Sequence, residues 1–320
     1  MLPPLLLFLA AAGLTAAIAA WLIARGALRP RRATAGWALA HGSAPDPGSL
    51  GLRYSECGTA EWPAWRIEGS GTVGAPTLIL LHGWGRSRID SLRRVGPLLP
   101  HVRAAILPDL PGHGESQSAT AVGASEHAAL VAELPRWLEA GRHPKGWSPR
   151  VILAGHSLGA AVAIRAAPLL NGVATVDGVI AWAPYETARQ PVAARLAAQG
   201  IRIPALVRAA TIMLRWHTGQ ESSTISALRS LTARSVPTVI VGSSGDRVVE
   251  LGVVRQLATE AGVARDEANS FLVGQSGHAD LGTEADGTTD AVAVRCATWS
   301  AGPIRDSRSP TRSAGSSDPA

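Results

Sequence analysis

Lysine is almost missing from this chain. Lys145 is the only one, and every other member of the 30 Lys and Arg residues is arginine. The arginines are scattered and form no stripe, so the net charge of +6 and the pI near 10.5 describe a generally solvated basic surface. Aromatic residues are only 4% of the chain and do not interleave with basic ones, so no nucleic-acid partner is expected. Cysteine is equally scarce. Cys57 and Cys296 stand far apart and in no metal-ligand spacing, which excludes a disulfide framework and a cysteine-based zinc site. Sequence leaves their pairing open, with two separate, inert thiols as the expectation.

Charge is absent altogether from residues 2–24. At about 1.5 Å per residue this stretch is long enough to cross a hydrocarbon core of about 30 Å. Trp21 would lie near the interface, and Arg25, Arg29, Arg31 and Arg32 follow at once. No basic residue precedes the stretch, so it lacks the charged start of a secretory signal. The charge difference favours a single-pass anchor with the rest of the chain on the cytoplasmic side. The alternative is a signal cleaved near the small residues 17–19, leaving a secreted protein.

The expected organisation is an anchor with its basic flank over 1–32, a Gly/Ala/Pro/Ser-rich linker over 33–51, one large domain over 52–301 and a disordered Ser/Arg/Pro-rich tail over 302–320. A hydrophobic content of 46% is ample for a full core. Within 52–301, unbroken apolar runs at 77–81, 104–107, 151–154, 178–182, 238–241 and 270–273 alternate with helical patterns at 89–99, 125–140, 160–167 and 248–261. Runs without polar alternation suit strands covered on both faces, which predicts a mostly parallel sheet flanked by helices. Residues 52–57 and 64–68 are expected as antiparallel strands at its leading edge. The rhythm breaks at 185–234, where only helical stretches appear. These are expected to form a small cap over the strand ends, with Ile212, Met213, Leu214 and Trp216 either walling a substrate site or packing the cap down.

Parallel sheets gather functional groups at the carboxyl ends of their strands. After the run at 151–154 comes Gly155-His156-Ser157-Leu158-Gly159, followed by a strong helix former. A serine at such a strand-to-helix turn projects its hydroxyl beside the positive end of the new helix. Chance alone supplies roughly 0.3 such five-residue patterns in a chain of this composition, so partners must carry the argument. The other strand ends provide them. His82-Gly83-Trp84-Gly85 follows the run at 77–81, and Asp109-Leu-Pro-Gly-His-Gly-Glu-Ser116 follows the next. Asp246 lies beyond 238–241, and His278 lies beyond 270–273. Serine, acid and histidine thus fall in order on separate loops, the three roles that hydroxyl nucleophilic catalysis needs.

These motifs resemble the α/β-hydrolase superfamily over residues 52–299. The resemblance implies an α/β-hydrolase fold with a small helical cap. Ser157 would be the nucleophile, His278 the base and Asp246 the acid, and the backbone N–H groups of Trp84 and Leu158 would bind the oxyanion. Glu186 is the alternative acid, Asp280 lies too near His278 in sequence to orient it, and His82, His113 and His156 are expected as structural rivals to His278. The implied activity is serine hydrolysis of a carboxylic ester, with a lipid-like acyl substrate as one option and neither metal nor organic cofactor. Acyl transfer, thioester or peptide cleavage would use the same residues, and a non-catalytic binding protein is the reading from another class. Sequence leaves the oligomeric state open.

Overall fold

The structure, a computed structural model, describes residues 4–72, 74–118, 126–138, 149–218, 223–263 and 270–301. The tail expected over 302–320 lies outside the described residues, as do 219–222 within the expected cap. The chain opens with helix α1 (Pro4–Leu28) and a short helix α2 (Ala35–Ala40). Strands β1 (Tyr54–Gly58), β2 (Pro63–Glu68) and β3 (Thr77–Leu81) follow, then α3 (Arg88–Val95), β4 (Ala104–Pro108), α4 (Glu126–Trp137), β5 (Arg150–His156) and α5 (Leu158–Ala166). The second half holds β6 (Thr175–Trp182), helices α6 (Arg189–Ala198), α7 (Pro204–Thr218) and α8 (Thr224–Ala233), then β7 (Thr238–Ser243), α9 (Leu251–Glu260), β8 (Ser270–Gly274) and α10 (Thr289–Ser300).

The eight strands form one sheet in the order β1-β2-β4-β3-β5-β6-β7-β8. From β4 to β8 every neighbouring pair is parallel, while β1 with β2 and β2 with β4 are antiparallel. This is an α/β-hydrolase fold with helices on both faces. The apolar runs account for it: every residue of β3, β4 and β7 is buried, because covered parallel strands leave no face for polar alternation. The edge strand β1 is mostly exposed and carries Tyr54, Ser55 and Glu56.

The expected antiparallel pair is present, with Tyr54 opposite Ile67 and Gly58 opposite Pro63. Two helices depart from the sequence reading. Helix α2 occupies part of the stretch expected as a linker, its start capped by the Thr34 hydroxyl, which accepts from Trp37 N at 3.4 Å. Helix α10 lies over a stretch whose Ala291-Val-Ala-Val294 run masks a helical period, yet Val292, Cys296 and Trp299 are buried from one side of it. Cys57 and Cys296 form no disulfide, and burial pushes the Cys296 thiol up to about 12.

Residues 185–234 hold α6, α7 and α8 and, among the described residues, no strand. Helix α7 packs along α1 and against α6. Helix α1 is long and apolar enough to cross a membrane, and its large side chains, among them Leu5, Phe8, Leu14 and Ile18, are exposed.

Helix α10 is locked to β6 where Gly178 meets Trp299. A Cβ on Gly178 would lie 2.2 Å from the indole ring. Gly178→Ala is therefore expected to cost about 1–3 kcal/mol in chemical unfolding through overpacking. The double variant with Trp299→Leu should recover part of that loss, and a strictly additive pair would contradict the contact.

Candidate active site

Ser157 stands between β5 and α5 with φ 54° and ψ −111°, a region few non-glycine residues enter. The turn is possible because two neighbours have no side chain. A Cβ on Gly155 would lie 2.3 Å from the Gly159 carbonyl, and one on Gly159 would lie 2.3 Å from the Leu81 carbonyl oxygen at the end of β3. Helix α5 is thereby pressed against β3 and β5, and Ser157 is held 2% exposed with its N–H donating to the Trp182 carbonyl at 2.8 Å. Leu158 begins α5, so its N–H is among those with no partner within the helix.

The structure brings Ser157, His278 and Asp246 together. His278 Nε2 lies 3.1 Å from Ser157 Oγ, and His278 Nδ1 lies 2.7 Å from Asp246 Oδ2. A carboxylate only accepts, so the imidazole carries its hydrogen on Nδ1 and turns the Nε2 lone pair toward the serine hydroxyl. Asp246 is itself fixed by two donors on its other oxygen, Val248 N at 2.7 Å and Val249 N at 2.9 Å. Glu186 is elsewhere: its carboxylate accepts from Ile225 N at 2.9 Å, at the start of α8. Asp280 pairs with Arg93.

Trp84 lies in the turn after β3. At its neighbour Gly83 a Cβ would meet His156 Nδ1 at 3.0 Å and Ser157 Cβ at 3.5 Å, so this turn lies directly on the serine. The Trp84 indole is held from two sides. Its Nε1 donates to the Ala27 carbonyl of α1 at 2.8 Å, and the Arg195 guanidinium of α6 covers its ring 4.1 Å from the centroid.

Several buried groups around this cluster have no motif to announce them. His156 Nε2 donates to the His278 carbonyl at 2.8 Å, tying the residue before the serine to the backbone of the histidine. Buried Arg94 donates from Nε to the Leu281 carbonyl and from Nη2 to the Ala279 carbonyl, both at 2.8 Å, and is neutralised by Asp90 at 2.8 Å. Asp286 accepts from Ser276 Oγ at 2.7 Å and also from Thr288 Oγ1, bracing the same loop. Only the Gly-His step of that loop was visible in sequence, since Arg94 and Leu281 are 187 positions apart.

The histidines expected to be structural are held as such. His82 accepts from Leu110 N at 3.0 Å and donates to the Gly83 carbonyl at 2.8 Å, which fixes a neutral ring. Burial lowers its pKa, against a smaller pull upward from Asp109. Asp109 accepts from Arg88 N at 2.7 Å and Glu115 N at 2.9 Å and ties down its own turn, while burial raises its carboxyl. His113 donates from Nδ1 to the Pro111 carbonyl at 2.9 Å, and burial pushes it down to about 3. Burial likewise holds His156 well below the ordinary histidine value, reinforced by Arg94 and His278.

A strand-to-helix elbow bearing Ser157, with a histidine and an aspartate on later strand ends of a parallel sheet, defines the hydrolase class of α/β folds. The model of the α/β hydrolase family matches residues 78–291, and the chain belongs to that family. A curated relative, a pimeloyl-[acyl-carrier protein] methyl ester esterase of Pectobacterium carotovorum, is 35% identical over 117 residues. That match covers 36% of this chain and 38% of the relative, so the chain matches well under half of the relative's length. Among solved structures, an esterase of Pyrococcus furiosus aligns with a TM-score of 0.60 at 19% identity, covering 85% of this chain and 96% of that one. A bacterial membrane phospholipase A aligns with a TM-score of 0.53 at 19% identity, covering 92% and 96%. At these identities the structures bear on the fold.

The buried neutral histidines set a pH dependence. Below about pH 6.5 the unfolded chain binds a proton at each site that the folded chain refuses, so each histidine removes stability as pH falls, His113 down to about pH 3. His113→Asn keeps a donor toward Pro111 but cannot titrate. Its unfolding free energy should fall less steeply than that of wild type between pH 6.5 and 4.5, by roughly 1.4 kcal/mol per pH unit. Parallel profiles in denaturant titrations would contradict a neutral buried His113.

Proposed function

We propose that the protein is a membrane-anchored serine hydrolase that cleaves carboxylic esters, with 52–301 as its hydrolase domain and 185–234 as its cap. The observation that carries this reading is the unbroken hydrogen-bonded chain from Ser157 through His278 to Asp246 at a strand-to-helix elbow. As Ser157 Oγ bonds to the acyl carbon, its proton passes to His278 Nε2, and Asp246 stabilises the imidazolium through Nδ1–H. The carbonyl oxygen gains the negative charge and is met by the N–H groups of Leu158 and Trp84, each such donor being worth about 2.7–4 kcal/mol to a transition state. His278 then returns the proton to the leaving alcohol. Water, deprotonated by the same nitrogen, releases the acid and restores the Ser157 hydroxyl.

The anchor reading is supported by the way the segment is bound. Besides the bond from Trp84 to Ala27, the Arg32 guanidinium donates to the carbonyls of Gly114 at 3.2 Å and Ser118 at 2.7 Å, and also to that of Ser116. A signal cut away after residue 19 would leave all of these contacts but remove the greater part of α1, so the packing of α1 along α7 is what favours the retained segment. The basic flank favours the cytoplasmic side for the domain. A lipid-like acyl group fits an ester hydrolase whose cap touches its own anchor, and the membrane phospholipase A is consistent with that class of substrate.

Wild type should hydrolyse a small chromogenic ester and react with a fluorophosphonate probe, and Ser157→Ala should abolish both. Asp246→Asn is expected to lower kcat by roughly 10³–10⁴-fold through the wrong imidazole tautomer. Glu186→Gln should change kcat by less than about threefold, because that carboxylate only caps α8. Equal labelling of wild type and Ser157→Ala would overturn the assignment, as would a larger loss in Glu186→Gln.

A further inference from the structure

Helix α7 has a face that neither the core nor the candidate site uses. Ala205, Arg208, Ile212, Arg215 and Trp216 follow helical spacing and are all exposed, Ile212 at 41% and Trp216 at 78%. Val207 and Ala210 are buried on the opposite side, so Ile212 and Trp216 lie on the side of the helix turned away from the core. Ile203, just before the helix, is 55% exposed. The charge around this face has one sign. Residues 1–45 and 187–218 contain no Asp or Glu, yet together they hold Arg25, Arg29, Arg31, Arg32, Arg189, Arg195, Arg202, Arg208 and Arg215.

Position completes the picture. Helix α7 packs along α1, and the buried residues of α1, Ala20 and Ala24, lie toward its basic end. About 20 residues suffice to cross a hydrocarbon core, so a span that begins at Pro4 leaves that end at the headgroups. We propose that the exposed face of α7 is a second membrane-contact surface, which docks on the anionic phospholipid headgroups of the bilayer that α1 spans. Trp216 and Ile212 enter the interface shallowly, while Arg208 and Arg215 pair with lipid phosphates. A second copy of the chain is the poorer occupant, because self-pairing would set arginines against arginines with no acid among them. The inference rests on the anchor reading and deepens it: α6, packed on α7, carries the Arg195 that covers Trp84, so lipid contact lies one helix away from the turn that rests on Ser157.

The test uses the full chain with Cys57→Ser and His217→Cys, labelled with bimane at position 217; Cys296 is fully buried. It is reconstituted in vesicles of phosphatidylcholine alone or with about one-third phosphatidylglycerol. Quenching by headgroup-level spin-labelled lipid should be stronger with phosphatidylglycerol, and Arg208→Glu with Arg215→Glu should weaken it by roughly threefold or more. Far-UV circular dichroism checks that the charge-reversed chain is folded. Three results would overturn the proposal: quenching insensitive to anionic lipid and to charge reversal, iodide access to the probe unchanged by the bilayer, or lipid-independent cross-linking between two chains at position 217. Carbonate extraction separates the two levels. A chain that washes out of the vesicles defeats the anchor reading and this inference with it, whereas a retained chain with an unquenched probe defeats this inference alone.

Discussion

The close approach of α5 to β3 and β5 is the constraint on which the rest of the site depends. Two positions without a Cβ, Gly155 and Gly159, let a helix begin within van der Waals distance of two strand ends. That contact forces Ser157 to positive φ and turns its side chain out of the sheet. The strain is held by what surrounds it, since Ser157 N bonds to Trp182 and Ala161 N bonds to the Ser157 carbonyl. A side chain at either glycine would move the helix start, and with it both the hydroxyl and the Leu158 N–H. The Ser157 hydroxyl and the Leu158 N–H, the proposed nucleophile and oxyanion donor, are thus positioned by one packing contact.

The other half of the site is assembled by loops, and loops need separate restraint. His278 stands on a segment that reaches α10 through only short 3-10 turns, so its position is imposed from outside. Arg94 holds the Ala279 and Leu281 carbonyls, Asp286 gathers Ser276 and Thr288, and His156 takes the carbonyl of His278 itself. A buried arginine is costly unless it is paired and hydrogen-bonded, and all three nitrogens of Arg94 donate, to Asp90 and to the Leu281 and Ala279 carbonyls. The His156 bond links elbow and loop directly, so the Ser157–His278 distance is set by neighbouring residues on both sides.

This division explains what was legible in the sequence. The strands could be read because a covered parallel strand is simply an apolar run, as in Thr77–Leu81. The elbow could be read because its glycines are demanded locally. Asp246 and His278 could be read because they follow strands at the end where a parallel sheet collects side chains. The restraints could not. Nothing local marks Arg94 as the partner of a carbonyl 187 positions away, or His156 as more than a neighbour of the serine. Helix α10 is not legible because Ala291-Val-Ala-Val294 satisfies a twofold and a helical pattern alike, while the burial of Val292, Cys296 and Trp299 along one side belongs to the tertiary packing.

The N-terminal segment shows the same logic at larger scale. Composition alone reads it as an anchor joined to the domain by a linker, yet its last turn accepts the Trp84 indole N–H and its flank puts Arg32 on the loop after β4. Trp84 is therefore clamped between the end of α1 and Arg195 of α6, while its neighbour Gly83 rests against Ser157. Any displacement of α1 relative to the domain must either break the bond to Ala27 or drag the Trp84 turn. Because α7 lies along α1 and α6 lies against α7, a force on α7 reaches the same indole through Arg195. Helices α1 and α6 thus converge on a single side chain, in the turn beside the serine. The end of α1 is thus packed into the surroundings of Ser157 and is more than a tether to the domain.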